Sequence, residues 1–311
     1  MKTKLMINEM KTPPLLQKGD AVGLISTARK ISQQEVQPAL ELFSKWGLNV
    51  VKGKHLHASY NQFAGTDQER KQDLQQMLDD PDIKAIICAR GGYGTARIID
   101  QLDFSGFAKR PKWIAGYSDV TALHSHVHTN FAIETLHATM PLNFPENGLE
   151  NQSVLSLKKA LFEGHLHYEI IDFQIVNGES FKDVSGILTG GNLSMLYSLI
   201  QSPSDINTHN KILFMEDLDE YLYHVDRMVL NLKRSGKLAF IKALLVGWMS
   251  DMNDNAISFG RDAKQIICDH MKDTGIPIIF GFPAGHLEPN LTLILGRKIR
   301  IQQENVLTLW M

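Results

Sequence analysis

The segment WIAGYSDVT occupies residues 113–121, and in it a buried apolar strand runs directly into a helix that we expect to begin near Asp119. A serine at such a turn is placed as a nucleophile. The tight bend lifts its hydroxyl above the sheet, and the first N–H groups of the helix can face a developing oxyanion. Gly116-x-Ser118 follows part of the nucleophile-elbow pattern, although Val120 replaces the second glycine. Helix capping alone is the alternative interpretation of this turn.

Strands and helices alternate on the N-terminal side of this segment. Short apolar runs predict strands, and apolar residues at helical spacing predict the helices between them. The predicted strands are 21–26, 49–52, 85–88 and 112–116, and the predicted helices are 32–46, 67–78 and 95–102. Alternation of this kind implies a parallel sheet that is covered by helices on both faces.

The pattern changes in the region 145–179, and short strands dominate after it. The predicted strands are 186–191, 211–215, 243–247, 276–280 and 305–310, and the predicted helices are 193–200, 223–234 and 263–274. We therefore divide the chain into an α/β domain at residues 1–165 and a β-rich domain at residues 166–311. The predicted fold class is α/β.

The composition is that of a globular protein. The chain has 311 residues, of which 43% are hydrophobic and 21% charged, and its formal net charge is -2. This excludes disordered, collagen-like and small disulfide-stabilised classes, and at roughly 150 residues per domain it suits two domains. The balanced charge argues against nucleic acid as a partner, because phosphate neutralisation requires a clustered basic excess. A small, weakly charged partner is expected.

The cysteines and the apolar runs bear on the compartment. The chain has two cysteines, Cys88 and Cys268, and both lie in apolar stretches, which suggests neither a disulfide framework nor a cysteine zinc site. The first residues lack the apolar core of a signal peptide, and no run approaches the roughly 20 apolar residues of a membrane span. We therefore expect a cytoplasmic protein with no membrane partner.

A glycine-rich loop, Arg90-Gly91-Gly92-Tyr93-Gly94, follows the strand at 85–88 and precedes a helix. Glycines let the backbone approach a ligand closely and present N–H groups to an anion. The loop lacks the Lys-Ser/Thr ending of a phosphate-binding P-loop. We interpret it as one wall of an oxyanion hole facing Ser118, with a plain tight turn as the alternative.

A serine nucleophile needs a base, and 12 histidines are available. His286 lies in the loop Gly281-Phe282-Pro283-Ala284-Gly285-His286, directly after a strand, where functional side chains concentrate. A structural histidine is the alternative there. His124 and His128 share a helix face, but no glutamate completes an H-E-x-x-H zinc motif, so no metal is expected.

The base needs a carboxylate to orient it. Glu216 and Asp217 end an apolar strand, so that either one suits this role. Capping of the next turn, or pairing with Arg227, is the alternative. The joint pattern is the stronger signal, because a serine, an acid and a histidine follow one another along the chain and each lies at a strand end.

At these residues the chain resembles the LD-carboxypeptidase family of serine peptidases, which includes muropeptide LD-carboxypeptidases and microcin immunity peptidases. The resemblance covers nearly the whole chain. The matching segments are Gly19-Asp20, Arg90 to Gly94, Gly116 to Asp119, Gly190-Gly191-Asn192-Leu193, Glu216-Asp217, Asp226-Arg227-Met228 and Gly285-His286.

The resemblance implies an N-terminal α/β domain that carries the nucleophile and a C-terminal β-rich, barrel-like domain that carries the other two triad members. It implies Ser118 as nucleophile, His286 as general base and acid, and Glu216 as its orienter. The backbone N–H groups of Gly92 and Asp119 are implied as the oxyanion hole. No cofactor is implied, and a homodimer is expected.

The activity implied is a serine carboxypeptidase that hydrolyses an L,D amide. It releases terminal D-alanine from a murein tetrapeptide whose penultimate residue is a diamino acid, as in peptidoglycan recycling. Arg90 is our candidate for binding the substrate carboxylate. Two departures from the family pattern are the segment His137-Ala138-Thr139, where many relatives have His-Gly-Pro, and His224, where an arginine is frequent. We interpret Arg227 as a structural ion-pair residue.

Other functions stay open. An immunity-type peptidase would keep the triad and cleave a peptide-nucleotide or aminoacyl-adenylate analogue, with Trp248 or the pair Tyr221/Tyr223 as a platform for the base. A non-catalytic nucleotide- or sugar-binding protein would use the glycine loop alone, and metal-dependent hydrolysis is a third possibility.

Overall fold

The computed structural model describes residues 10–146, 148–178 and 181–311. Strands and helices alternate through its first half, as the sequence pattern predicts. The strands are β1 (Ala21–Ile25), β2 (Asn49–Lys52), β3 (Ile83–Cys88), β4 (Trp113–Gly116) and β5 (Thr135–His137). The helices are α1 (Gln33–Lys45), α2 (Asp67–Asp79), α3 (Thr95–Ile98), α4 (Ser105–Lys109), α5 (Thr121–Phe131) and α6 (Gln152–Phe162).

Capping residues set several helix starts. Ser32 caps α1 and Thr66 caps α2, each in a capping box with a glutamate three residues later. Helix α1 ends before Gly47, whose φ of +80° is in the left-handed region that favours glycine.

The first sheet has the order β12-β5-β4-β3-β1-β2, in which β12 is a strand from the C-terminal half. Strands β1 to β5 pair in parallel, so their carboxyl ends meet at one edge. This confirms the predicted parallel sheet. The loops that follow the adjacent strands β3 and β4 therefore lie side by side, and these are the loops that carry the glycine run and Ser118.

The second half is richer in strands. Its strands are β6 (His167–Ile170), β7 (Gln174–Val176), β8 (Asp183–Asn192), β9 (Ile212–Leu218), β10 (Ala243–Ser250), β11 (Ile278–Phe280), β12 (Leu293–Leu295), β13 (Lys298–Gln303) and β14 (Leu307–Trp310). Its helices are α7 (Leu193–Ser198), α8 (Leu222–Arg234) and α9 (Ala263–Met271).

The second sheet has the order β6-β14-β13-β8-β9-β10-β11-β7. Its centre, β8 to β11, is parallel, and the pairs on either side are antiparallel. The α/β fold class with a second, strand-rich unit is thus confirmed. We expected this second unit to be barrel-like. The structure shows instead a mixed sheet whose edge strands are β6 and β7. None of the helices in the described ranges is long and apolar enough to cross a membrane.

Two close contacts join the halves beside the Ser118 turn. The Thr121 hydroxyl accepts a hydrogen bond from the backbone N–H of Asn192 at 3.0 Å. A Cβ on Gly191 would lie 2.5 Å from that hydroxyl, so the approach of β8 to the start of α5 requires a glycine. The ends of β4 and β8 are thereby held against one another.

Candidate active site

Ser118 lies at a strained turn between β4 and α5. Its φ is +62°, in the left-handed region that non-glycine residues rarely adopt, and it is partly exposed. Strain of this kind persists where the surrounding structure enforces it and is common at active sites. The turn continues as a short 3-10 helix over Ser118–Val120 before α5 begins. The geometry is that of the predicted nucleophile elbow.

The glycine loop packs directly on this turn. A Cβ on Gly91 would lie 3.0 Å from the Cβ and 3.1 Å from the Oγ of Ser118, so a larger residue would crowd the hydroxyl. Asp119 holds the two segments together, because its buried carboxylate accepts hydrogen bonds from the N–H groups of Gly94 at 3.3 Å and Thr95 at 2.9 Å. Burial raises the pKa of Asp119, and these hydrogen bonds oppose that rise.

The N–H groups of Gly92 and Asp119 were the predicted oxyanion donors. Neither donates a hydrogen bond to another group in the part of the chain that the structure describes. Gly92 has a φ of +115°, which only glycine adopts readily. Both donors are therefore free to receive a ligand atom, and their role stays a prediction.

Arg90 lies at the start of the same loop. Its guanidinium donates to the carbonyl of Lys30 at 3.2 Å and lies 3.7 Å from the carboxylate of Glu35. It does not line the cavity beside His286 that is described below. These contacts place Arg90 on the α1 side of the loop, and its proposed contact with a substrate carboxylate stays a prediction.

His286 and Glu216 form a hydrogen-bonded pair. Nδ1 of His286 lies 2.7 Å from Oε2 of Glu216, whose side chain is fully buried near the end of β9. Gly285 makes this approach possible: its φ is +124°, and a Cβ there would lie 2.7 Å from Oε2 of Glu216. The contact orients the imidazole and leaves its Nε2 available for proton transfer.

The charge of Glu216 sets the basicity of His286. Burial of the imidazole lowers its pKa, but the hydrogen bond and charge of Glu216, with a smaller effect of Asp217, outweigh burial and raise the pKa of His286. A base with this pair of partners accepts a proton more readily than an isolated buried histidine.

Strand geometry distinguishes the two candidate acids. Consecutive residues of a strand point to opposite sides, so Glu216 faces His286 while Asp217 faces α7. Asp217 accepts hydrogen bonds from the side chain of Asn192 and from the N–H of Ser194, both at 2.8 Å. Burial, and next the charge of Glu216, raise the pKa of Asp217 to about 7. Glu216 is therefore the partner of His286.

Tyr117 connects the serine turn to the histidine. Its ring centroid lies 4.8 Å from that of His286, so the residue that precedes Ser118 packs against the imidazole. Ser118 Oγ itself forms no hydrogen bond with His286 in the described ranges. Catalytic hydrogen bonds are often long in free enzymes and tighten when substrate binds.

A cavity of about 400 Å³ opens beside His286. It is lined by one residue of the Ser118 turn and by residues of the loop after β5, of the start of α6 and of the loop between β11 and β12. They are Tyr117, Thr139, Asn143, Pro145, Asn151, Gly285, His286, Leu287, Glu288 and Asn290. Most of them, such as Asn143, Asn151 and Glu288, carry no local sequence signal that would predict a place in the site.

The segment His137-Ala138-Thr139 has two different environments. Thr139 lines the cavity, whereas His137 is fully buried between the rings of Tyr117 and Phe214. Burial lowers the pKa of His137 well below its usual value, so this histidine is neutral. The segment that departs from the family pattern therefore borders the cavity through Thr139.

The histidines of α5 have separate partners. His124 lies 2.9 Å from the carbonyl of Gly116, and His128 lies 3.1 Å from the hydroxyl of Thr135. Burial lowers the pKa of His124 to about 4 and that of His128 to about 3. In the described ranges no group of three or more histidine, cysteine or acidic side chains is arranged to hold a metal ion.

Arg227 was the predicted ion-pair residue. Its guanidinium lies over the ring of Tyr223, 5.3 Å from the centroid, and forms no ion pair within the described ranges. Arg227 therefore makes a cation-π contact in place of the ion pair that we expected.

Two family models match the chain at the residues described above. The LD-carboxypeptidase N-terminal domain matches residues 22–138, and the LD-carboxypeptidase C-terminal domain matches residues 185–301. The chain belongs to the LD-carboxypeptidase family.

Named relatives agree with this membership. This LD-carboxypeptidase family member is 36% identical over 296 residues to a probable murein peptide carboxypeptidase of Bacillus subtilis, covering 92% of this chain and 90% of the relative. It is 27% identical to a murein tetrapeptide carboxypeptidase of Pseudomonas aeruginosa, covering 89% of this chain and 91% of the relative.

Solved structures share the fold. The crystal structure of muramoyltetrapeptide carboxypeptidase from Oxalobacter formigenes superposes with a TM-score of 0.83 at 26% identity, covering 93% of this chain and 98% of that one. The microcin C7 self-immunity protein in complex with aspartyl sulfamoyl adenosine superposes with a TM-score of 0.84 at 23% identity, covering 96% and 97% of the two chains. The second likeness shows the fold alone.

Proposed function

We propose that the protein is a serine LD-carboxypeptidase that releases the terminal D-alanine from murein tetrapeptides, with Ser118, His286 and Glu216 as its triad. The observation that carries the proposal is the buried Glu216–His286 pair at 2.7 Å, packed through Tyr117 on the strained turn of Ser118. Two relatives are named as a probable murein peptide carboxypeptidase and a murein tetrapeptide carboxypeptidase, and these names support the choice of substrate.

Acylation begins with attack of Ser118 Oγ on the carbonyl carbon of the scissile amide. His286 takes the hydroxyl proton, and the negative charge that develops on the carbonyl oxygen is stabilised by the N–H groups of Gly92 and Asp119. The tetrahedral intermediate then collapses. The C–N bond breaks, His286 returns the proton to the leaving amine, and D-alanine departs from an acyl-enzyme.

Deacylation repeats these steps with water as the nucleophile. His286 accepts a proton from water as its oxygen attacks the ester carbonyl, and then protonates Ser118 Oγ as the ester bond breaks. Glu216 stabilises the imidazolium in both halves of the cycle, and its burial keeps it paired with Nδ1. The product is the tripeptide.

The remaining expectations belong to the same proposal. A homodimeric state is suggested by the family resemblance. A cytoplasmic location remains a prediction, and it would make the activity part of peptidoglycan recycling. The substrate is a small peptide, and nucleic acid and membrane are not expected as partners.

A second candidate is an immunity-type peptidase that cleaves aminoacyl-nucleotide analogues. One observation favours it: Tyr221 and Tyr223 are 44% and 41% exposed, and their ring centroids lie 5.7 Å apart. They follow β9, the strand that carries Glu216. Trp248 is less suited, because its indole N–H donates to the carbonyl of Pro289 at 3.0 Å.

Mass spectrometry distinguishes the two candidates. The purified protein is incubated with a murein L,D-tetrapeptide and, separately, with an aminoacyl-nucleotide analogue, each beside a Ser118→Ala control. We expect loss of one alanine from the tetrapeptide and none in the control. Cleavage of the nucleotide analogue alone would replace the proposal by the immunity-type activity.

A further inference from the structure

The cavity beside His286 has one acidic side chain in its described lining. Among the lining residues that the structure describes, Glu288 is the sole carboxylate, and none is a lysine or an arginine. Apart from His286, the other polar side chains are neutral amides and hydroxyls, such as those of Asn143, Asn151 and Tyr117. Glu288 is therefore the one acidic group in the described lining, two residues along the chain from His286.

The carboxylate of Glu288 is held in place by the protein. Oε1 accepts a hydrogen bond from the hydroxyl of Ser153 at 2.7 Å. Ser153 is fully buried, and its oxygen in turn accepts from the N–H of Asn290 at 2.7 Å. Oε2 forms no hydrogen bond in the described ranges. One oxygen is thus anchored, and the other is available to a ligand.

The charges of a murein tetrapeptide differ at its two last residues. The terminal D-alanine carries a carboxylate, which Glu288 would repel. The preceding diamino acid carries a side-chain ammonium, which is fully protonated at neutral pH and which a fixed carboxylate attracts. The carboxylate of Glu288 therefore favours the ammonium over the terminal carboxylate.

We propose that Glu288 is a specificity-determining residue, and that its carboxylate binds the side-chain ammonium of the diamino acid on the acyl side of the scissile bond. This proposal rests on the proposed function and adds to it the residue that recognises the side chain of the diamino acid. Ser153 positions that carboxylate, and Asn290 positions Ser153.

Three tetrapeptides test the proposal, identical except for a lysine, an Nε-acetyllysine or a norleucine before the terminal D-alanine. Nε-acetyllysine is longer than lysine and norleucine is shorter. A lower kcat/KM for both neutral peptides would therefore result from the missing charge and not from the size of the side chain. D-alanine release gives kcat/KM for each peptide with the native protein and with Glu288→Gln. The glutamine retains an oxygen that can accept from Ser153, so the loop keeps its anchor while the charge is removed.

We expect the native protein to prefer the lysine peptide by about tenfold or more over both neutral peptides, as a charge-assisted hydrogen bond would produce. Glu288→Gln should abolish this preference by lowering kcat/KM for lysine alone. Glu288→Ala should do the same, and its turnover of the norleucine peptide shows that the variant is folded. Glu304→Gln, which removes a surface carboxylate in the turn between β13 and β14, is the matched control and should retain the preference.

Other outcomes overturn the proposal in distinguishable ways. A lysine preference that persists in Glu288→Gln would assign recognition to another group. Release of D-alanine from all three peptides at equal rates by the native protein would leave the proposed function intact and refute the role of Glu288. Release from none of them, including the lysine peptide, would refute both.

Discussion

Glu216, near the end of β9, reaches His286 in the loop after β11, with Oε2 2.7 Å from Nδ1 and Gly285 against the carboxylate. The pair joins the end of β9 to the loop that follows β11, so that both its members are set by the second sheet. Ser118 comes from the first sheet. The reacting groups therefore depend on how the two sheets are held together.

Replacing Ser118 tests the nucleophile and the strain at its turn. We expect Ser118→Ala to lower kcat for a murein tetrapeptide by about 10³-fold or more, as the loss of a triad nucleophile does. Ser118→Gly should be equally inactive but more stable than Ser118→Ala by about 1 kcal/mol, because glycine adopts a φ of +62° without a Cβ clash. Chemical denaturation of the two variants measures the difference, and equal stabilities would show that the turn is unstrained.

Removing the charge of Glu216 should change the pH dependence of activity. His286 must be neutral to accept a proton, and Glu216 raises its pKa, so kcat/KM falls as the pH drops through that raised value. In Glu216→Gln we expect this fall to move to lower pH, together with a loss of about 10²-fold or more in kcat. A pH profile of D-alanine release measures both.

Glu220 offers a matched control for that variant. It pairs with His224 at 2.6 Å near the surface, in the same kind of carboxylate–imidazole contact. Glu220→Gln should leave the pH profile unchanged. A shift of equal size in this control would show that the profile reports general surface charge.

Adding a methyl group at Gly285 should separate His286 from its partner. A Cβ there would lie 2.7 Å from Oε2 of Glu216 at a φ of +124°, so Gly285→Ala should lower kcat by about tenfold or more, as misplacement of a catalytic group does. Gly275→Ala is the control, since Gly275 also has a positive φ of +65° but its Cβ would meet nothing within 4 Å. Unaltered activity in Gly285→Ala would mean that the loop relaxes freely.

Asp217 should make the folded protein less stable as the pH rises. Burial, and next the charge of Glu216, raise its pKa to about 7, whereas in the unfolded chain an aspartate titrates at about 3.9. Between these values the folded state retains a proton that the unfolded state loses, so the free energy of unfolding decreases from about pH 4 to about pH 7. Urea denaturation across this range should show a steeper decrease for the native protein than for Asp217→Asn, and identical slopes would contradict the assignment.

Much of the first sheet follows from local pattern. The short apolar runs predict β1 to β4 and the Ser118 turn, because the strands of a parallel sheet that is covered on both faces are almost continuously apolar. Strand β5 is three residues long and β12 pairs with it from a distance of more than 150 residues along the chain, as the register Leu293↔His137 shows. Such pairing is decided by tertiary contacts and has no local signal.

The candidate site likewise has one part that the sequence predicts and one part that it does not. Ser118 and His286 lie in loops whose glycines are visible in the sequence, and the joint pattern with an acid points to them. The choice between Glu216 and Asp217 depends on which face of β9 meets the loop after β11, which the sequence alone leaves open. The cavity lining assembles from separated segments, so Asn143, Asn151 and Glu288 carry no motif.

The placement of β12 has a consequence for how the protein matures during synthesis. The loop with His286 begins at β11 in the second sheet and ends at β12 in the first, so it is tethered to both. A ribosome must finish residues 293–295 before β5 gains its last neighbour, and until then that strand presents an open edge to other chains. The nascent N-terminal half thus carries the Ser118 turn before His286 has been synthesised, and the proposed triad can assemble only after that point.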